Sequence, residues 1–140
     1  MSNDQVWNWT FLGFVDNRGY NVAQTWYGSE QGAVQAEFDL LLRTIRQRSN
    51  VEWSQMRAST NLKGNYQGLT ELKFTVNKVR YRPVGFFGPT KQTFTILTVA
   101  TKQNFDAQCK IALKRKPIVI SNPGDFSNEC NCLSDITRKT

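Results

Sequence analysis

The 140-residue chain contains no histidine. That absence removes imidazole acid–base chemistry, Ser-His-Asp triads and His-ligated zinc or haem. Cysteine is scarce and odd in number, at three. Cys130 and Cys132 are separated by one residue, too close to pair easily, and Cys109 stands alone. Reduced thiols in a cytoplasm are the expectation. A zinc site at Cys130-x-Cys132 would want further Cys or His ligands that the chain does not supply, so neither metal nor other cofactor is expected. No apolar run approaches the roughly 18 residues of a membrane helix. Met1-Ser2-Asn3-Asp4-Gln5 lacks the basic and then apolar regions of a signal peptide, so no membrane partner is expected.

Acidic residues are also scarce where it matters. Residues 1–42 carry one base (Arg18) and five acids, residues 117–140 two bases and three acids, and residues 43–116 fifteen bases against Glu52, Glu71 and Asp106. The whole chain carries a formal charge of +7, and its middle alone carries +12. Like charges held close destabilise a fold, so such a concentration points to an anionic partner. The remaining composition, 39% hydrophobic with 12% aromatic, is that of a folded domain of ordinary size.

The pattern along the chain reads as β, helix, three strands, helix. Residues 6–15 are aromatic and β-prone, and Asp16-Asn17-Arg18-Gly19 follows as a turn. A short helix is predicted over 22–28, and Ser29 is the candidate N-cap of the next. From Glu30 to about Gln47, Val34, Phe38, Leu41, Leu42 and Ile45 form one apolar stripe, with Gln35, Asp39, Arg43, Arg46 and Gln47 on the wet side. Residues 49–68 show no clear period: Val51, Trp53 and Met56 fit either a short helix or an irregular segment, and 63–68 read as a loop. Over 69–76, Leu72, Phe74 and Val76 point one way and Glu71, Lys73 and Thr75 the other. Asn77-Lys78 turns the chain into a strand over 79–87, where Pro83 and Gly85 suggest an edge position or a bulge. Residues 93–101 make a third strand, and connections this short require antiparallel pairing. Residues 105–116 are helical, ending at Pro117.

The expected fold is therefore α+β: one domain over 1–120 with a small antiparallel sheet, made of an N-terminal strand plus a three-strand meander, and helices packed on one face. Residues 121–140 read as a polar, poorly packed tail.

Arg80 and Arg82 are two residues apart on one strand and share a face. Neighbouring strands lie about 4.8 Å apart, so Lys73, Arg80 or Arg82, and Lys102 can converge on one patch. Lys78 in the turn, Lys63 in the preceding loop and Arg115 on the last helix are further candidates for RNA contact. Tyr81 alternates with the arginines and so faces the core, while Tyr66 either packs or stacks on a base.

The run Gly68-Leu69-Thr70-Glu71-Leu72-Lys73-Phe74, then Tyr81-Arg82 leading into Phe86-Phe87, resembles the signature of RelE/HigB-type toxins, especially the phage-derived Gp49-like branch. Ile96-Leu97-Thr98-Val99-Ala100-Thr101-Lys102 and Cys109-Lys110-Ile111-Ala112-Leu113-Lys114-Arg115 are similar to the strand and helix that follow in that family. The likeness is best over 62–116.

The resemblance implies a cytoplasmic toxin of a toxin–antitoxin system. It would cleave mRNA on the ribosome by 2′-OH attack on the scissile phosphate, and a small helix-turn-helix antitoxin would neutralise it. Arg82 would contact that phosphate, with Lys73 and Lys102 as further catalytic cations. The alternative on the same scaffold is a non-catalytic phage or host-interaction protein that binds RNA or an acidic protein through the basic face. The sequence departs from the family in placing Glu71 where several relatives have lysine. It has no tyrosine at the comparable position near Cys109, so a lysine crowded by other cations stands as the candidate proton acceptor.

Overall fold

In the computed structural model, which describes residues 6–129, the chain is a mixed α+β domain built on one sheet. Strand β1 spans Thr10–Phe14, followed by helices α1 (Val22–Ser29), α2 (Gly32–Arg46) and the short α3 (Asn50–Trp53). Strands β2 (Ser59–Asn61), β3 (Thr70–Leu72), β4 (Phe74–Val76), β5 (Val79–Phe87) and β6 (Thr93–Thr101) come next. Helices α4 (Phe105–Ser121) and α5 (Pro123–Phe126) and the two-residue strand β7 (Ser127–Asn128) complete it. The order across the sheet is β2-β3-β5-β6-β1-β7, with β4 also on β5.

The meander over 69–101 is antiparallel as its short connections require. The sheet is larger than the four strands expected, with seven among the described residues, and β1 joins it parallel to β6. Helices also cover both faces rather than one. The apolar stripe of α2 (Val34, Phe38, Leu41, Leu42, Ile45) is buried with Trp9, Phe11, Trp53, Phe74, Phe94 and Ile96. On the opposite face, Cys109, Ala112 and Val119 of α4 pack with Leu69, Val84, Phe86 and Leu97. A sheet apolar on both sides needs a layer on each.

Local chemistry explains the elements and the remaining corrections. Asn21, not foreseen as a cap, accepts from the backbone N–H groups of Ala23 and Gln24 and starts α1. Ser29 does not cap α2. Its hydroxyl donates to Trp26 O at the end of α1, and α2 starts at Gln31 without a side-chain cap. Arg46 is buried rather than wet, because the segment leading into β1 lies over the end of α2: Trp9 donates its backbone N–H to Arg46 O and its indole N–H to Arg48 O. The unpatterned stretch contains α3, which Ser49 and Glu52 close with a capping box, and Trp53 at its end is fully buried.

Pro117 does not stop α4, which runs on to Ser121. The missing proline N–H forfeits one intrahelical bond, and the burial of Val119 on the next turn offsets it. Residues 121–129, read as tail, carry α5 and β7. Phe126 stacks on Phe14 at 6.3 Å, and β7 pairs with β1. Cys130 and Cys132 lie outside the described residues. Among those described, no helix is long and apolar enough to cross a membrane.

Strand β5 is central, not an edge, and the bulge expected near Gly85 is present as a register shift between Val84 and Gly85. A Cβ at Gly85 would stand 2.1 Å from Thr95 O, so only glycine fits there. Pro83 explains a second irregularity. Glu71 lies opposite Val84 and Phe74 opposite Tyr81 in one continuous register, which puts Leu72 opposite Pro83 and Lys73 opposite Arg82. Pro83 has no N–H to give the ladder. The strand divides into β3 and β4 at that point, and on its other side the Lys73 N–H extends the ladder to β2, donating to Ala58 O at 2.8 Å.

Candidate nucleic-acid interface

The register decides which cations meet. Alternation along β3 and β4 puts Glu71, Lys73 and Thr75 on the α4 face of the sheet, and their partners on β5 are Val84, Arg82 and Arg80. Arg82 forms an ion pair with Glu71, Nε to Oε2 at 2.7 Å, and its guanidinium lies over the Phe105 ring at 4.4 Å. The Glu71 side chain is 6% exposed and that of Arg82 23%. Lys73 donates from Nζ to Thr60 Oγ1 at 2.7 Å, on β2 and directly opposite Glu71. Of the cations expected to converge, Lys73, Arg80 and Arg82 gather around one buried carboxylate and Lys102 does not, and Glu71 is enclosed rather than wet.

Burial pushes the Glu71 carboxyl above the ordinary carboxylate value, and the positive charges of Arg82, Lys73 and Arg80 pull against it without cancelling the effect. Cys109, at 0% exposure on the buried side of α4, has its thiol pushed up to about 11 by burial first and then by the charges of Glu71 and Asp106. Tyr66 packs rather than stands free. Its hydroxyl donates to Asp106 Oδ1, which pushes the phenol up to about 12 and holds the Asp106 carboxyl below its usual range. Tyr81 faces the other side as expected, stacked on Phe74 with centroids 5.2 Å apart.

From this cluster the cations continue outward along the free edge of the sheet. One open groove of about 450 Å³ is lined by Arg57, Ala58, Lys73, Phe74, Thr75 and Arg80. A second, of about 480 Å³, shares Arg57 and Lys73 with the first and adds Thr60, Asn61 and Lys63. No carboxylate lines either groove. A concave surface of one sign with apolar walls focuses the field on an anionic ligand.

The other candidates fall differently. Lys78 sits at positive φ (+68°) in the hairpin turn beside Arg80, exposed. Lys102 follows the last residue of β6, Thr101, which lies opposite Tyr81, so it stands at the same end of the sheet as Arg80 and is exposed. Arg115 is not brought to the groove. Its Nη1 donates to Leu97 O at 2.7 Å, its guanidinium lies over Phe14 at 4.8 Å, and burial lowers its pKa. Arg57, which lines both grooves, was missed in the sequence because it lies in a stretch without period. Its one signal is its place among the fifteen bases of residues 43–116.

Comparison of the chain with protein-family models, with curated proteins and with solved structures finds no match.

Proposed function

We propose that the protein binds RNA in this edge groove and acts on it as a toxin-type endonuclease, a ribosome-dependent mRNA interferase of the RelE/HigB kind. The observation that carries the reading is the carboxylate-free groove in which Arg57, Lys63, Lys73 and Arg80 lead to the buried Glu71–Arg82 pair. Phosphate neutralisation supplies most of the affinity of such a surface for RNA.

In the reaction, the ribose 2′-oxygen gives up its proton and attacks the adjacent phosphorus, the bond to the 5′-oxygen breaks, that oxygen takes a proton from water, and a 2′,3′-cyclic phosphate and a 5′-hydroxyl result. Arg82 and Lys73, opposite one another in the register, are the cations for the charge that gathers on the phosphorane oxygens. Lys102 stands at the same end of the sheet. Glu71 replaces a crowded lysine as the acceptor of the 2′-hydroxyl proton. It is the one carboxylate in the cluster, and burial raises its proton affinity toward the range a general base needs. An antitoxin that silences the protein would cover the same groove.

Expression in bacteria is expected to arrest growth with cleavage of ribosome-bound mRNA. Arg82→Ala, shown folded by circular dichroism, is expected to abolish both. Wild-type protein that leaves growth and ribosomal mRNA intact refutes the endonuclease.

A second reading, non-catalytic binding of RNA on the same surface, is favoured by one observation: Arg82 is already committed to Glu71 and to the Phe105 ring. It predicts salt-sensitive RNA binding without strand scission.

A further inference from the structure

Beyond the two basic grooves, along the same sheet edge, lies a third depression of different chemistry. It measures about 670 Å³ and shares Asn61 and Lys63 with the second groove, so the three form one continuous track. Its apolar walls are Leu62, Leu69 and Phe87, and its other polar side chains include Asn50 and Gln67. Volume and composition suit a flat, mostly apolar ligand with hydrogen-bonding edges.

The pocket is held rigidly. The Phe87 ring is braced from behind by Trp9, Trp53 and Phe94 at centroid distances of 5.1, 5.0 and 5.2 Å. The loop over 62–69 is closed by Leu62 N–H donating to Leu69 O at 2.9 Å, and is tied to α4 by Lys116 Nζ donating to Gly68 O at 3.0 Å. Gly68 sits at φ +95°, and a Cβ there would come 2.8 Å from that ammonium. Asn61 is oriented as well: its Oδ1 accepts from Thr70 Oγ1 at 2.9 Å. The group Asn61 has left to offer is therefore its amide NH₂, a donor, and the neighbouring Lys63 ammonium is a second donor.

We propose that this pocket is a nucleobase subsite of the RNA track, in which Asn61 and Lys63 donate to the O6 and N7 acceptors of a guanine whose ring lies against Leu62, Leu69 and Phe87. Two adjacent donors match guanine's pair of acceptors, whereas adenine offers N7 beside an amino donor and cytosine an amino donor. A base splayed out of a single strand presents that edge to a protein side chain. The inference rests on the RNA reading above and adds to it a base preference that the basic grooves cannot supply, since phosphate contacts position a strand without reading it.

The test uses the full chain and uridine octamers carrying one central guanine, adenine or cytosine, with a 2′-deoxy or 2′-O-methyl backbone to prevent cleavage. The guanine octamer is expected to bind roughly 5- to 150-fold more tightly than the adenine one. Asn61→Ala should bring the preference within about twofold while leaving the salt dependence unchanged, because no phosphate contact is lost. Asn61→Asp, which keeps the shape and the Thr70 bond but removes the donor, should likewise bring the preference within about twofold, with its added charge weakening all octamers alike, and guards against a folding effect. Tight, salt-sensitive binding without a guanine preference, or a preference that survives both variants, overturns the subsite and leaves the RNA reading standing. Failure of every octamer to bind overturns both.

Discussion

The two faces of the sheet are built on opposite rules. Under α1, α2 and α3, the face is one core rich in rings, in two linked groups: Trp9, Phe11, Trp53, Phe87 and Phe94 at 5.0–6.4 Å, and Trp26, Phe38 and Phe74 at 5.0–6.3 Å. Under α4, the face changes character along a single strand. Val84 and Phe86 of β5 are sealed by Cys109, Ala112 and Val119, but two residues earlier Arg82 meets Glu71, and two before that Arg80 opens into the groove. A strand that is core at one end and charged at the other needs a backing that does not give way. The aromatic face supplies it.

That contrast can be broken from either side. The largest effect belongs to the aromatic face. Trp53→Ala should cost about 3–5 kcal/mol, read as a lowered midpoint in urea, because Trp53 is fully enclosed and its indole N–H also donates to Ile45 O at 2.8 Å. A loss under about 1 kcal/mol would mean that the ring cluster is not the backing it is taken for.

On the charged side, Arg82→Ala should cost about 1–3 kcal/mol at neutral pH, since it leaves Glu71 enclosed without its ion partner. The sign with pH follows from the direction of the shift. Glu71 titrates above its ordinary value when folded, so its contribution is fully favourable below the unfolded value of 4.5 and is lost as pH rises through the folded one. The penalty of Arg82→Ala should therefore shrink as the pH falls through the folded value toward 4.5 and be smallest below it, and adding Glu71→Gln should recover part of it at pH 7. A penalty that is flat with pH would show that Arg82 acts through its packing on Phe105 instead.

Smaller still for the fold, and larger for ligand, are Lys73→Ala and Arg80→Ala. Each should move the urea midpoint little and reduce the slope of log affinity against log salt for RNA by about 1. Unchanged slopes would remove both from the track.

The smallest effect is that of Tyr66→Phe, which removes the hydroxyl bonded to Asp106. Asp106 should then titrate closer to 3.8, as followed by NMR. The loss of stability should be present above that value and fade below it, because a carboxyl with a depressed folded pKa stabilises only while ionised.

The same contrast explains what could be read in advance. The α2 stripe was legible because Val34, Phe38, Leu41, Leu42 and Ile45 recur at helical spacing and all are buried. The alternation over 71–76 was legible in the same way, and it placed Lys73 on the face of Arg80 and Arg82 correctly. Periodicity, however, reports which side a residue faces and not what covers that side. Glu71 and Arg46 took polar positions in the pattern, yet α4 and the chain before β1 close over them. Arg57 and the amide pocket lie in stretches with no period, so their assembly depends on which strands become neighbours, and that is decided by the sheet as a whole. Pro117 was misread because a proline signals a helix end only when nothing beyond it is buried.

The parallel pairing of β1 with β6 has a consequence in time. Thr10 lies opposite Thr93, so β1 leaves the ribosome well before the strand it pairs with. Contacts this distant in sequence slow folding, because loop closure must precede any reward. Phe11 therefore lacks Phe94 until β6 has emerged, and the aromatic face is completed only then. During that interval the α2 stripe lacks its partners, and the nascent chain depends on prompt completion, or on a chaperone that shields rings, to reach the folded state.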